Sequence, residues 1–360
     1  MAKKMIFGWY DSMKAGLLSL LACCLLGSCD GLMHDDLPPC ETGAYLHFVY
    51  DYNIQRADMF NDHVGGLVVF VYDENGKFVT RQEAANSSLA QPLKSHDFAM
   101  QLQLQPGKYH FAAFAWQKAY SETLAARGAK FRVEMPQQGE DISRLHATLD
   151  RQQGIVENQA MPLDTLWQGL SKGIVEVKSL EMVHDTISLV RDTKELTLSL
   201  HQIDAPADIS VEDFSFEITC ANGTIGHDNS LWEDERLTYK PYFTWDTDFR
   251  DEAGNVKERT AHAAMMFSRL VLYPVAQNEQ NAMLSIFNKK TGEEVVRINL
   301  ADCLAQGRGA FDYLNYSPQE FLDREYDYHL DFFLKGGEWQ YANLSISVLS
   351  WSKRIQRVDF

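Results

Sequence analysis

From Ala44 onward the chain is a series of short apolar runs broken by polar and turn residues. The runs are too short, and too rich in β-branched and aromatic residues, to read as helices. Ala44–Tyr50 and Gly66–Tyr72 open the series, and Asp73-Glu74-Asn75-Gly76 forms a turn into Lys77-Phe78-Val79. Phe98–Leu104 leads to the turn dipeptide Pro106-Gly107, after which Lys108–Trp116 returns; Leu145–Leu149, Ile174–Val177 and Thr186–Arg191 follow. One helix is expected, at Ala57–Val64.

After Arg191 the pattern restarts with Glu195–His201 and Asp213–Cys220, the latter ending near a turn at Asn222-Gly223. Long polar loops separate these from strands at Met265–Tyr273, Met283–Asn288 and Glu294–Leu300. Lys289-Lys290-Thr291-Gly292 reads as the hairpin turn between the last two, and Glu325–Leu334 and Leu344–Trp351 close the chain. Many short strands separated by frequent turns argue for β-sandwiches. The polar Asp192-Thr193-Lys194 marks the expected boundary between an N-terminal sandwich (43–192) and a C-terminal one (193–360).

The amino terminus has a different pattern. Lys3, Lys4 and Lys14 precede an unbroken apolar segment, Ala15–Leu26, shorter than the roughly 20 residues a bilayer requires. That is the layout of a secretory signal peptide. The run ends Leu25-Leu26-Gly27-Ser28-Cys29, and a small pair directly before a cysteine resembles a bacterial lipobox. Residues 1–28 are then removed, and the Cys29 thiol carries lipid on the first residue of the mature chain. The alternative acceptor Cys23 leaves almost no apolar core ahead of it, while a plain signal cut near Ser28 is the competing reading. Asp11 is out of place in a basic lead-in, and Met13-Lys14 would be a more compact start. Asp30–Thr42, with Asp35, Asp36, Pro38 and Pro39, makes 29–42 a polar tether.

The 360 residues are 45% hydrophobic and 12% aromatic, the composition of a packed protein. Net charge is −17, and losing the segment with Lys3, Lys4, Lys14 and Asp11 takes it to −19. Such a surface repels phosphate backbones and anionic headgroups, which argues against nucleic acid and leaves membrane attachment to the lipid. Beyond Cys29, the cysteines Cys40, Cys220 and Cys303 are too widely spaced for a disulfide framework or a zinc site, and are expected as buried small hydrophobes.

Catalytic signatures are missing: no Gly-x-Ser-x-Gly elbow, no phosphate-binding Gly-rich loop, no His-Glu-x-x-His pair. Asp73-Glu74-Asn75-Gly76 starts like a calcium loop but lacks the later ligands. The 50 carboxylates make any chance acidic pair uninformative. No catalytic, cofactor-binding or metal residue is therefore named. Phe243, Trp245 and Phe249, with Tyr239 and Tyr242 beside them, form an aromatic group that could stack on sugar rings or fold as loop residues over a sandwich edge.

From Cys29-Asp30 and Pro39-Cys40 onward the order of residues resembles a known family. Phe48-Val49-Tyr50-Asp51-Tyr52-Asn53, Ala57-Asp58 and Phe60 come first, then Val68-Val69-Phe70-Val71-Tyr72-Asp73 with Gly76-Lys77-Phe78. Leu102, Leu104, Pro106-Gly107-Lys108-Tyr109 and Ala115-Trp116 complete the series. This stretch resembles the opening of the FimB/Mfa2-type anchor subunits of Bacteroidetes fimbriae, the fimbrillin-associated lipoproteins. The C-terminal half matches through Leu344–Trp351 before Lys353-Arg354. The resemblance implies tandem transthyretin-like β-sandwiches, no catalysis, a lipid anchor in the outer membrane, and a fimbrial shaft subunit as partner. Asp35-Asp36 resembles the acidic signals that send such lipoproteins to the outer face. A surface glycan-binding lipoprotein, using aromatics such as Trp245, is the alternative.

Overall fold

The computed structural model describes residues 41–309, 315–336, 338–348 and 351–355. The signal segment, Cys29, Cys40 and nearly all of the expected tether lie outside the described residues. In chain order the elements are β1 (Gly43–Val49), α1 (Phe60–His63), β2 (Gly66–Asp73), β3 (Phe78–Ala85), β4 (Met100–Gln103), β5 (Gly107–Trp116), α2 (Tyr120–Ala125), β6 (Phe131–Val133), β7 (His146–Leu149), β8 (Ile155–Val156), β9 (Leu166–Leu170), β10 (Val175–Val177), β11 (Met182–Ser188) and β12 (Val190–Arg191). After Asp192 come β13 (Thr193–Gln202), β14 (Phe214–Cys220), β15 (Thr224–Gly226), β16 (Leu237–Tyr239), β17 (Phe243–Arg250), β18 (Val256–Ser268), β19 (Met283–Asn288), β20 (Glu294–Asn299), α3 (Leu300–Ala305), α4 (Pro318–Arg324), β21 (Asp327–Lys335), β22 (Glu338–Val348) and β23 (Trp351–Ile355). The fold is all-β, with a few short helices.

β2 explains why one strand lacks alternation. All of its residues from Gly66 to Tyr72 are buried. Leu67, Val69 and Val71 face a core shared with Leu46, Phe48, Phe111 and Trp167. Val68, Phe70 and Tyr72 face a second core with Phe114, Trp116 and Phe131, and that core continues into Leu198, Phe216, Met265 and Leu330. A strand covered on both faces must be apolar at every position. Each large side chain so buried stabilises the fold by about 1.5–3 kcal/mol. Gly65 and Gly66 let the strand start against the end of β5: a Cβ there would sit 2.0 Å from the Gln117 carbonyl oxygen or 2.2 Å from that of Lys118.

Pairing follows five sheets. β1 lies between parallel β11 and antiparallel β4; β12-β9-β5-β2-β3 form a second sheet, with β10 also on β5. A third runs β17-β18-β13-β21-β22-β23, with β13 and β21 parallel. The remaining two are β20-β19-β14-β16-β8 and β15-β7-β6. Both of these mix strands from before and after Asp192, through β8 on β16 and β15 on β7. Asp192, Thr193 and Lys194 are buried, so the polar tripeptide is not an exposed linker. Lys194 Nζ donates to the carbonyl oxygens of Asp323 and Glu325 at 3.0 and 2.8 Å.

Several local expectations change. Pro106-Gly107 is not the turn of a hairpin: β4 pairs with β1 while β5 pairs with β2 and β9, so the turn carries the chain between sheets. The helix expected over 57–64 contracts to α1, because the Asp58 carboxylate accepts from the Tyr50 and Phe60 N–H groups and fixes a turn. The strand expected at Met265–Tyr273 stops at Ser268; the Leu272 and Tyr273 N–H groups donate to the side chains of Gln319 and Asn281 instead. Leu344–Trp351 divides between β22 and β23, which pair antiparallel. The Asp73–Gly76 and Lys289–Gly292 turns form as read: Gly76 and Gly292 have φ of +70° and +77°, and the Asp73 carboxylate accepts from the Asn75 and Lys77 N–H groups. α4 went unread although Ser317-Pro318-Gln319-Glu320 carries its signal, with Ser317 Oγ accepting from the Glu320 N–H.

Candidate functional site

The aromatic group around Trp245 lies on β17, an edge strand, rather than in a loop. Alternation on the neighbouring strands sets the face it shares. Leu196, Leu198 and Leu200 of β13 point into the core with Ala261, Ala263 and Met265 of β18 and with Leu330 and Phe332 of β21. The intervening residues therefore face outward. Two cross-strand rows result. One runs Trp245, His262, Ser199, Asp331, Asn343; the next runs Thr247, Thr260, His201, Phe333, Tyr341.

The rings on this face form two stacks. Phe243 lies 5.2 Å from Trp245, which stacks on His262 at 4.8 Å. On the far side His201 stacks on Phe333 at 4.6 Å, and Phe333 on Tyr341 at 4.5 Å. Between them the Ser199 hydroxyl contacts His262 Nδ1 and His329 Nε2, each at 3.0 Å. Asp331 lies 3.3 Å from His329 and 3.7 Å from His201. Burial opposes ionisation of Asp331, but the contacts with the two imidazoles outweigh it and hold the carboxyl well below the usual range. Burial, then the neighbouring His329 and His201, push His262 down from its ordinary value. Among the described residues no group of three or more His, Cys, Asp or Glu side chains has the geometry to hold a metal ion.

Phe243 is 58% exposed, Phe249 67% and Tyr341 46%. Tyr239 belongs elsewhere: it is buried, with its hydroxyl donating to Asn222 Oδ1 at 2.7 Å. Tyr242 donates to Glu195 Oε1 at 2.9 Å. The sequence reading found Trp245, Phe243 and Phe249 but missed His201, His262, His329, Asp331, Phe333 and Tyr341. Their signal was the period-two alternation of β13, β18, β21 and β22, which assigns each a face without saying which strands adjoin.

Cys220 and Cys303 are free and buried, as expected; burial pushes the Cys220 thiol up to about 12 and raises that of Cys303. A second surface lies along β6, an edge of its sheet. A groove of about 440 Å³ beside it is lined by Tyr120, Leu124, Val133, Met135, His146 and Thr148. The edge of β3, by contrast, is polar, with Arg81, Gln82 and Glu83 exposed, a pattern that discourages unplanned strand pairing. No helix among the described residues is long and apolar enough to cross a membrane.

No curated protein sequence matches the chain. Among solved structures, a candidate adhesin from Bacteroides thetaiotaomicron is 27% identical, covers 90% of this chain and 100% of its own, and superposes with a TM-score of 0.73. A candidate polysaccharide-binding protein from the same organism is 29% identical, with 88% and 98% coverage and a TM-score of 0.68. The fimbrial anchor protein Mfa2 from Porphyromonas gingivalis shares the fold at 15% identity, with 88% and 100% coverage and a TM-score of 0.59. The family described as fimbrillin-A associated anchor proteins Mfa1 and Mfa2 matches residues 37–357, a span that includes all of the described residues, and the chain therefore belongs to that fimbrial anchor family.

Proposed function

We propose that this protein is a non-catalytic outer-membrane lipoprotein, attached through Cys29, that terminates or anchors a fimbria by strand pairing with a shaft subunit. Membership of the anchor family over residues 37–357 is the observation that carries this reading. The physics is favourable. A sheet edge offers unpaired N–H and C=O groups, so an incoming strand gains affinity from the main chain and register from alternate side chains in pockets. One acyl chain of myristoyl length binds a bilayer only reversibly, at roughly 10⁴ M⁻¹, so a load-bearing anchor at Cys29 needs more than one. We propose further that residues 43–192 and 193–360 are two sandwiches joined at the buried Asp192, coupled through the pairing of β8 with β16 and of β15 with β7. Deleting the gene should give fimbriae of altered length that are shed into the medium. Normal length and retention would overturn the anchor reading.

A second reading, glycan binding, is favoured by the exposed Phe243–Trp245 stack. The 29% identity to a candidate polysaccharide-binding protein supports it as well. The two functions are compatible, since an anchor at the cell surface presents its outer faces to whatever surrounds the cell.

A further inference from the structure

We infer that the outer face of the β17-β18-β13-β21-β22 sheet is a binding platform for an uncharged chain of pyranose sugars. This rests on the glycan-binding reading and specifies its site and ligand class. The warrant is the arrangement across the strands. The Phe243–Trp245 stack stands at one side and the Phe333–Tyr341 stack at the other. Four strand spacings separate β17 from β22, about 19 Å at roughly 4.8 Å each, which gives an extended ligand two separated aromatic contacts. Between them lie groups able to donate or accept hydrogen bonds, among them His329 and Asp331.

Pyranosides match that order. Their C–H faces pack against rings, and their hydroxyls exchange hydrogen bonds with side chains in the interval. A protein partner fits less well, because the centre of a protein interface is depleted of charged groups, whereas Asp331 is held ionised at the middle of this face. Charge then selects among sugars. Asp331 and Glu258 on this face, within a chain of net charge −17, repel uronic or sulfated glycans.

The test uses the mature chain carrying Cys29→Ser, with maltoheptaose, mannohexaose and xylohexaose as neutral probes and a galacturonic acid hexamer as the anionic one, followed by calorimetry. We expect saturable binding of at least one neutral probe. Trp245→Ala or Tyr341→Ala should weaken it roughly tenfold or more, with unchanged melting and circular dichroism. Leu89→Ala, at a 97% exposed position away from the face, should leave it intact. If none of the probes binds, neutral or anionic, the platform and the glycan reading fall together. If a neutral probe binds but Trp245→Ala and Tyr341→Ala bind it equally well, the platform is wrong and the glycan reading stands. Preference for the galacturonate would overturn the ligand class. Loss of fimbrial retention in the Trp245→Ala strain, with sugar binding intact, would show a protein-docking face instead.

Discussion

The Tyr120 hydroxyl engages both backbone groups of Val133, accepting from its N–H at 2.8 Å and donating to its carbonyl oxygen at 3.2 Å. A side chain thus occupies hydrogen-bonding positions that a neighbouring strand would otherwise take on the edge of β6. The ring is held in place by stacking on Trp116, centroids 4.3 Å apart. An edge closed this way resists unplanned pairing while leaving the groove beside it in place.

Tyr120→Phe keeps the ring and removes the hydroxyl, so the Val133 N–H and carbonyl lose their partner. We expect a loss of about 1–3 kcal/mol in stability, measured by urea denaturation of the mature chain carrying Cys29→Ser. An unchanged midpoint would mean that water replaces the hydroxyl without cost.

Gly66→Ala tests the contact between the start of β2 and the chain after β5. A methyl placed 2.2 Å from the Lys118 carbonyl oxygen forces the two segments apart, at a cost of about 1–3 kcal/mol. Differential scanning calorimetry should show a lower melting temperature. At Gly139, where no atom lies within 4 Å of the added carbon, Ala should meet no such overlap, although its φ of +77° strains any side chain.

Buried carboxyls at the junction make stability fall with rising pH. Desolvation pushes Asp192 up to about 7, against the pull of Arg269 and Lys194, and pushes Glu325 up to about 7 as well. A carboxyl whose folded pKa is raised holds a proton that the unfolded chain has already released. Its stabilising share is complete below the unfolded pKa, near 4, and is lost as pH climbs toward 7. Burial lowers His63, His227 and His262, which works the other way in this window, so the fall is read against Asp192→Asn: relative to that variant the melting temperature should drop between pH 5 and 7.5 by at least about 2–4 °C, the worth of about 1 kcal/mol in a domain of this size. Asp192→Asn should flatten that slope. A slope identical to wild type would show that Asp192 ionises normally.

Cys29→Ser should abolish incorporation of labelled palmitate and release the protein from outer-membrane fractions. Retention of both label and membrane association in that variant would overturn lipid attachment at Cys29.

What the sequence determined by itself is local. Alternation in Glu195–His201 and Glu325–Leu334 assigned inward and outward faces before any pairing was known, because the side-chain period of a strand is two whatever lies beside it. The run Gly66–Tyr72 reads as a strand from its apolar, β-branched and aromatic residues, and Leu25–Cys29 carries the residue order on which the proposal of lipid attachment rests. Tertiary structure decided what is non-local. Pro106-Gly107 reads the same whether the strands around it pair with each other or part to different sheets, and the core on both sides of β2 separates them. The same holds for Trp245 and Tyr341. They lie 96 positions apart in the sequence, and they share a face because β13 and β21 run parallel between β18 and β22. That long-range register comes from the packing of whole sheets, which no local pattern encodes.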